Sequence, residues 1–263
     1  MTTGGGRSDR IEALVAEEAA RRGERVDVVH VCAAMVAALP VDGAGVSAMS
    51  PAAGSSYPLC GTDDISRSLE ELQLTLGEGP CMDAFALGEA VLSPDLRAPE
   101  VRARWPAFTA AAVDSGAGAV FALPLQIGAI SPGVLDLYRE RPGALDGEHL
   151  ADAMAFADTA TLLLLGGRAE GPERFRWNLG ADRAQIDQAT GMLTEQLGVG
   201  IEEAFLRLRA HAYAQGRRLT DVAADVVYRR LLFTPDSRTG TGTDGGTDPD
   251  TDPGAGRSGD DRT

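Results

Sequence analysis

Residues 117–127, Ala-Gly-Ala-Val-Phe-Ala-Leu-Pro-Leu-Gln-Ile, are apolar at almost every position. Ala117, Ala119, Phe121, Leu123, Leu125 and Ile127 alternate onto one face, and the intervening residues are mostly apolar as well. A strand of this kind needs cover on both sides, so the chain must build a sheet with helices packed on it. Pro124 pulls toward an edge position, because it removes a ladder donor. Residues 134–138 are the expected partner strand, across a turn containing Gly128.

The flanking patterns supply the helices. Helical periodicity runs through residues 9–39, first as Ile11, Leu14 and Val15, then as Val28, Val31, Cys32, Met35, Val36 and Leu39. Pro40 ends it. Residues 43–50 and 56–62 read as two strands, 63–76 as a helix stopped by Gly77-Glu-Gly-Pro80, and 90–96 as a short strand. A helix follows over 105–115, and Asp146 is placed to cap another over 147–165. The order predicts an α+β domain over 9–166, with residues 1–8 as a disordered N-terminus. Residues 167–181, rich in glycine and charge, read as a linker. Residues 182–233 carry three short amphipathic stretches, punctuated by Gly198 and Gly216, and predict a three-helix bundle. Residues 234–263 are mostly Thr, Asp, Gly, Pro, Arg and Ser; they have nothing to bury and read as a disordered acidic tail.

Charge excludes some functions and leaves others open. The chain carries a net charge of −15, which argues against a polybasic nucleic-acid binder. The acid is unevenly spread, however, and residues 182–233 are neutral, with 7 acids and 7 arginines. No lysine occurs anywhere, which excludes lysine Schiff-base and P-loop chemistry. No catalytic motif appears, so no enzymatic activity is expected. Cys32, Cys60 and Cys81 are odd in number and widely spaced, which predicts neither a disulfide framework nor a metal site. With no signal-peptide pattern and no membrane-length apolar run, the expected location is cytoplasmic. His30 and His149 read as helix-surface residues, Cys32 and Cys81 as buried packing, and Asp83 and Asp95 as caps or pocket residues.

One segment has a recognisable pattern. It runs Arg183-x-x-Ile186-Asp-Gln-Ala189-Thr-Gly-Met192-Leu, then Glu203-Ala204-Phe205-x-x-Leu208-Arg209, then Arg218-Leu219-x-x-Val222-Ala223. This resembles ANTAR domains, which are RNA-binding transcription antiterminators. Upstream, Leu72-Gln-Leu-Thr-Leu-Gly77-Glu-Gly-Pro80-Cys81-x-Asp83-Ala and Gly133-Val-Leu-Asp-Leu-Tyr138 resemble actinobacterial GAF domains that precede ANTAR. The resemblance implies a sensory or dimerising α+β domain over a six-stranded or similar sheet; it does not by itself imply a ligand, and an unknown small molecule stays open as a partner. It also implies recognition of paired RNA hairpins by a homodimer. Many relatives carry lysine beside the first alanine, where this chain has Thr190, so the resemblance implies one cation fewer here.

Hairpin loops expose bases that arginine planes and aromatic rings can hold, and their phosphates need cations. The candidate RNA-binding residues are Arg183, Arg207, Arg209, His211, Arg217 and Arg218, with Tyr213 and Tyr228 beside them. The competing reading makes these arginines a solvated face with partners such as Glu203–Arg207, and the three helices a protein-interaction and dimerising module. A DNA-reading helix-turn-helix is disfavoured, because the outward positions of the third helix include Asp221 and Asp225.

Overall fold

The computed structural model describes residues 3–50, 55–169 and 180–234. Helices α1 (Thr3–Arg22) and α2 (Val28–Ala38) lead into strands β1 (Gly43–Ser50) and β2 (Ser55–Gly61). Four helices and a short strand follow: α3 (Asp64–Leu76), α4 (Pro80–Leu87), β3 (Val91–Ser93), α5 (Pro99–Arg104) and α6 (Pro106–Asp114). The hairpin β4 (Ala119–Ile127) and β5 (Ile130–Arg139) precedes α7 (Gly147–Ala169). The last three helices are α8 (Gly180–Leu197), α9 (Ile201–Ala214) and α10 (Leu219–Val227). None of the helices among the described residues is long and apolar enough to cross a membrane.

The strands form one antiparallel sheet in the order β2-β1-β5-β4-β3. Among the described residues the sheet has five strands, the number the residue pattern predicts, where the resemblance implied six or a similar number. Phe121, Leu123 and Leu125 face one layer, made by Ile11, Val15, Met35 and Phe156 of α1, α2 and α7. Val120, Ala122, Val134 and Tyr138 face the other, made by Leu69, Cys81, Trp105 and Phe108. The double cover expected of residues 117–127 is therefore realised as far as Leu125, each large buried side chain contributing about 1.5–3 kcal/mol, whereas Gln126 and Ile127 run out into solvent toward the hairpin turn. Pro124 fits because β3 pairs only with Val120, Phe121 and Ala122, leaving the strand an edge beyond it.

The fold departs from expectation in several places. Residues 3–8, expected to be disordered, belong to α1. That turn is anchored by Arg7, which pairs with Glu148 at 2.6 Å and Asp152 at 2.8 Å on α7. Residues 80–87 form a helix rather than only a stop, with Pro80 at its first position, where its missing N–H is not needed. His30 is buried, not on the surface; its Nδ1 accepts from Asp27 N–H, completing the cap of α2. The helix that was expected to end at 165 continues to Ala169, and α8 begins at Gly180. The rest of the expected linker, and the tail from 235 onward, lie outside the described residues.

Candidate nucleic-acid interface

The bundle is built as its sequence pattern required. Ile186, Ala189 and Leu193 of α8, Ala204 and Leu208 of α9, and Leu219, Val222, Ala223 and Val226 of α10 form one buried core. Alanine at 189, 204 and 223 lets the helix axes approach closely, since each is fully buried. Thr190 also turns inward and donates its hydroxyl to the Ile186 carbonyl at 2.7 Å. The residue at this position does not face solvent in this chain.

One member of that core comes from elsewhere. Leu74 of α3 is buried in the bundle cluster, so the bundle docks on the α+β domain. Polar contacts follow the same seam. Arg209 donates to the Thr75 carbonyl at 3.1 Å, and its guanidinium lies over Phe205 and against Gly77. Gly77 caps α3 with φ +67 and has no side chain to displace Arg209. Burial lowers the pKa of Arg209. Arg218 pairs with Glu71 at 2.6 Å, and Thr220 donates to the same carboxylate at 3.3 Å. Burial raises the pKa of Glu71, outweighing the pull of Arg218. A cleft of about 590 Å³ runs along the seam, lined in part by Glu71, Thr75, Tyr213, Arg217 and Arg218.

The candidate RNA-binding residues are therefore distributed over different surroundings. Arg209 and Arg218 are engaged with α3. Arg207 pairs with Glu203 at 2.7 Å, the helical pairing foreseen in the competing reading. The His211 ring lies 4.9 Å from the Phe233 ring at a tilt of 55°, and its Nε2 is buried without a hydrogen-bond partner among the described residues. Arg183 lies in α8, and its side chain is outside the described residues. Arg217 belongs to a group that the sequence did not reveal. Asp225 accepts from Arg217 and from Arg230, each at 2.7 Å, and Arg230 lies 4.9 Å over the exposed ring of Tyr228. The two arginines lower the Asp225 pKa. Two guanidinium groups and an aromatic ring thus stand together at the end of α10. Arg230 was missed because it lies beyond the helical repeat, in the turn that the left-handed Arg229 (φ +56) creates.

A second polar group lies inside the α+β domain. Glu70 of α3 and Asp136 of β5 are both buried, on the side of the sheet that faces α3 and α4. Ser47 donates to Glu70 Oε2, and Gln73 donates to Asp136 Oδ2 at 2.8 Å. Gln73 also accepts from the Cys81 N–H at 2.7 Å. Gly45 leaves room for the Glu70 carboxyl, which a Cβ at that position would strike. Desolvation, reinforced by Asp136, pushes Glu70 well above the usual carboxylate range, and desolvation brings Asp136 to about 6. Asp83 and Asp95 have simpler roles. Asp83 pairs with Arg104 and accepts from the Trp105 indole N–H, and Asp95 caps a turn at Arg97 N–H.

No curated protein matches the chain. The structure is similar to the GAF domain of a phosphoenolpyruvate-protein phosphotransferase from Coxiella burnetii, at 14% identity and TM-score 0.46. That match covers 62% of this chain and 98% of the other. It is also similar to the GAF domain of an Acinetobacter phosphoenolpyruvate-protein phosphotransferase, at 13% and 0.49, covering 65% and 99%. A third is the GAF-B domain of DevS from Mycobacterium smegmatis, at 17% and 0.41, covering 54% and 93%. The sequence itself carries the assignment of the second unit: residues 180–227, which span the three-helix bundle, match the family model of the ANTAR domain.

Proposed function

We propose that this chain is a cytoplasmic regulator whose bundle binds paired RNA stem-loops in nascent transcripts and promotes antitermination. The α+β domain, read as GAF-like, senses a signal or dimerises, and the chain performs no catalytic step. The observation that carries the reading is the ANTAR match over 180–227, coincident with a bundle whose closely packed alanines are those of the motif. Two loops require two bundles, so the functional species is a homodimer, in which the second loop binds at high effective concentration.

The test is binding of the purified protein to a two-hairpin leader RNA, compared with a control whose loops are mutated. A salt-sensitive preference for the native loops supports the reading; equal binding overturns it. Arg217→Ala combined with Arg230→Ala should weaken binding by about tenfold, or about 1.4 kcal/mol. Arg209→Ala should also weaken it.

One observation favours a second reading, in which the bundle is a protein-interaction and dimerising unit. Arg209 and Arg218 are already committed to α3, and the bundle region has no net charge. Nucleic acid co-purifying with the protein, seen as a raised 260/280 absorbance ratio, counts against this alternative.

A further inference from the structure

The core of the α+β domain poses an electrostatic problem. Two carboxyl groups, Glu70 and Asp136, are buried together, and their hydrogen-bond donors, Ser47 and Gln73, are neutral. Each keeps one oxygen, Glu70 Oε1 and Asp136 Oδ1, buried and without a hydrogen-bond partner among the described residues. An uncompensated buried charge costs several kcal/mol, so the pair needs either a proton or a cation. The third group decides between them. Ligand atoms of Glu70, Cys81 and Asp136 all lie within 4.8 Å of one another, and the Cys81 side chain is fully buried. A proton shared by the two carboxyls engages Glu70 and Asp136 alone, whereas a thiophilic cation engages the Cys81 sulfur as well.

We propose that Glu70, Cys81 and Asp136 form a binding site for one thiophilic divalent cation of the zinc class, the ligand of the α+β domain. A contraction of about an ångström brings the three donors to the spacing of tetrahedral zinc and leaves a fourth position open. Binding replaces the thiol proton, and any proton held between the carboxyls, and releases them to solvent. The doubly positive ion then meets a thiolate and two carboxylates, which compensates the buried charge. Gln73 grips Asp136 with its amide N–H and the Cys81 backbone with its carbonyl, and Ser47 holds Glu70. These two are positioning residues, of the kind that fix metal ligands in place.

This inference gives a ligand to the sensing half of the function proposed above. It is tested without RNA, so it and the RNA reading fail separately. The full chain is purified without chelator and its metal content measured, then stripped and titrated with Zn2+ or Co2+. One equivalent per chain is expected, and Co2+ should give a near-ultraviolet thiolate charge-transfer band. Cys81→Ser should abolish the band, and Cys60→Ser should keep it. The second control matters because the Cys60 and Cys32 sulfurs lie 2.9 Å apart and are the alternative thiol site. Ser47→Ala, which leaves all three ligands in place, should weaken Co2+ affinity by roughly 10–100-fold. It decides the matter if Cys81→Ser fails to fold by circular dichroism. No stoichiometric metal, a band that survives Cys81→Ser, or an affinity unmoved by Ser47→Ala overturns the proposal.

Discussion

Asp225 holds two of the cations that RNA would have to recruit, Arg217 and Arg230. Asp225→Asn should release both, tighten binding to the two-hairpin RNA and steepen its salt dependence. The slope should rise by about 0.7 for each additional single-strand phosphate that an arginine neutralises. Filter binding at several salt concentrations checks this, and an unchanged slope means that these arginines do not reach phosphate. The pH dependence has a definite sign. The folded pKa of Asp225 is lowered, so the pairing contributes fully above the unfolded value of about 3.9 and is lost as pH falls through the folded value. Residue-scale roles were the least legible in the sequence. His30 looked like a surface residue because its cap partner, Asp27, sits in a loop that periodicity does not describe. Asp136 lies in the 133–138 motif and Glu70 in none, and only the fold of α3 over β5 brings them together.

At the scale of elements, α3 serves both units, packing on the sheet and supplying Leu74 to the bundle core. Asp63 caps it and accepts from the Ser66 N–H at 2.7 Å, so Asp63→Ala should cost about 1 kcal/mol. Leu74 closes the core of the bundle from outside it, and Leu74→Ala should cost about 2–5 kcal/mol in chemical denaturation. Gly77→Ala should cost about 1–3 kcal/mol, because it forces a side chain into a left-handed turn and against Arg209. Both substitutions should make the bundle more accessible to protease, whereas Asp63→Ala, at the far end of the helix, should do so less. The elements themselves were largely legible. The alternation in β4, the stripes of α2 and the three bundle helices all follow from periodicity and small residues. The exceptions have physical causes. Helix α4 was hidden because Gly77, Gly79 and Pro80 signal a stop as strongly as a start. The first turns of α1, with three glycines, have poor intrinsic propensity and depend on the Arg7 pairings to α7.

The whole molecule is a helix–sheet–helix sandwich with a bundle seated on one of its helices. Seating consumes Arg209 and Arg218, so RNA that uses them must compete with Thr75 and Glu71. Glu71→Gln weakens the seat without touching the bundle, and should raise RNA affinity several-fold in the same binding assay. A fall in affinity would mean that the seated form is the one that binds. Glu70 and Glu71 are neighbours on α3, and neighbours on a helix point about 100° apart. One side chain reaches into the sandwich and the other toward the bundle, so a single helix forms the wall between two chambers. Free energy passing through that wall must be reciprocal. Whatever factor the cation applies to RNA affinity, RNA must apply to cation affinity. A Co2+ titration with and without the two-hairpin RNA measures that factor from the far side, and a factor of one means that no message crosses α3.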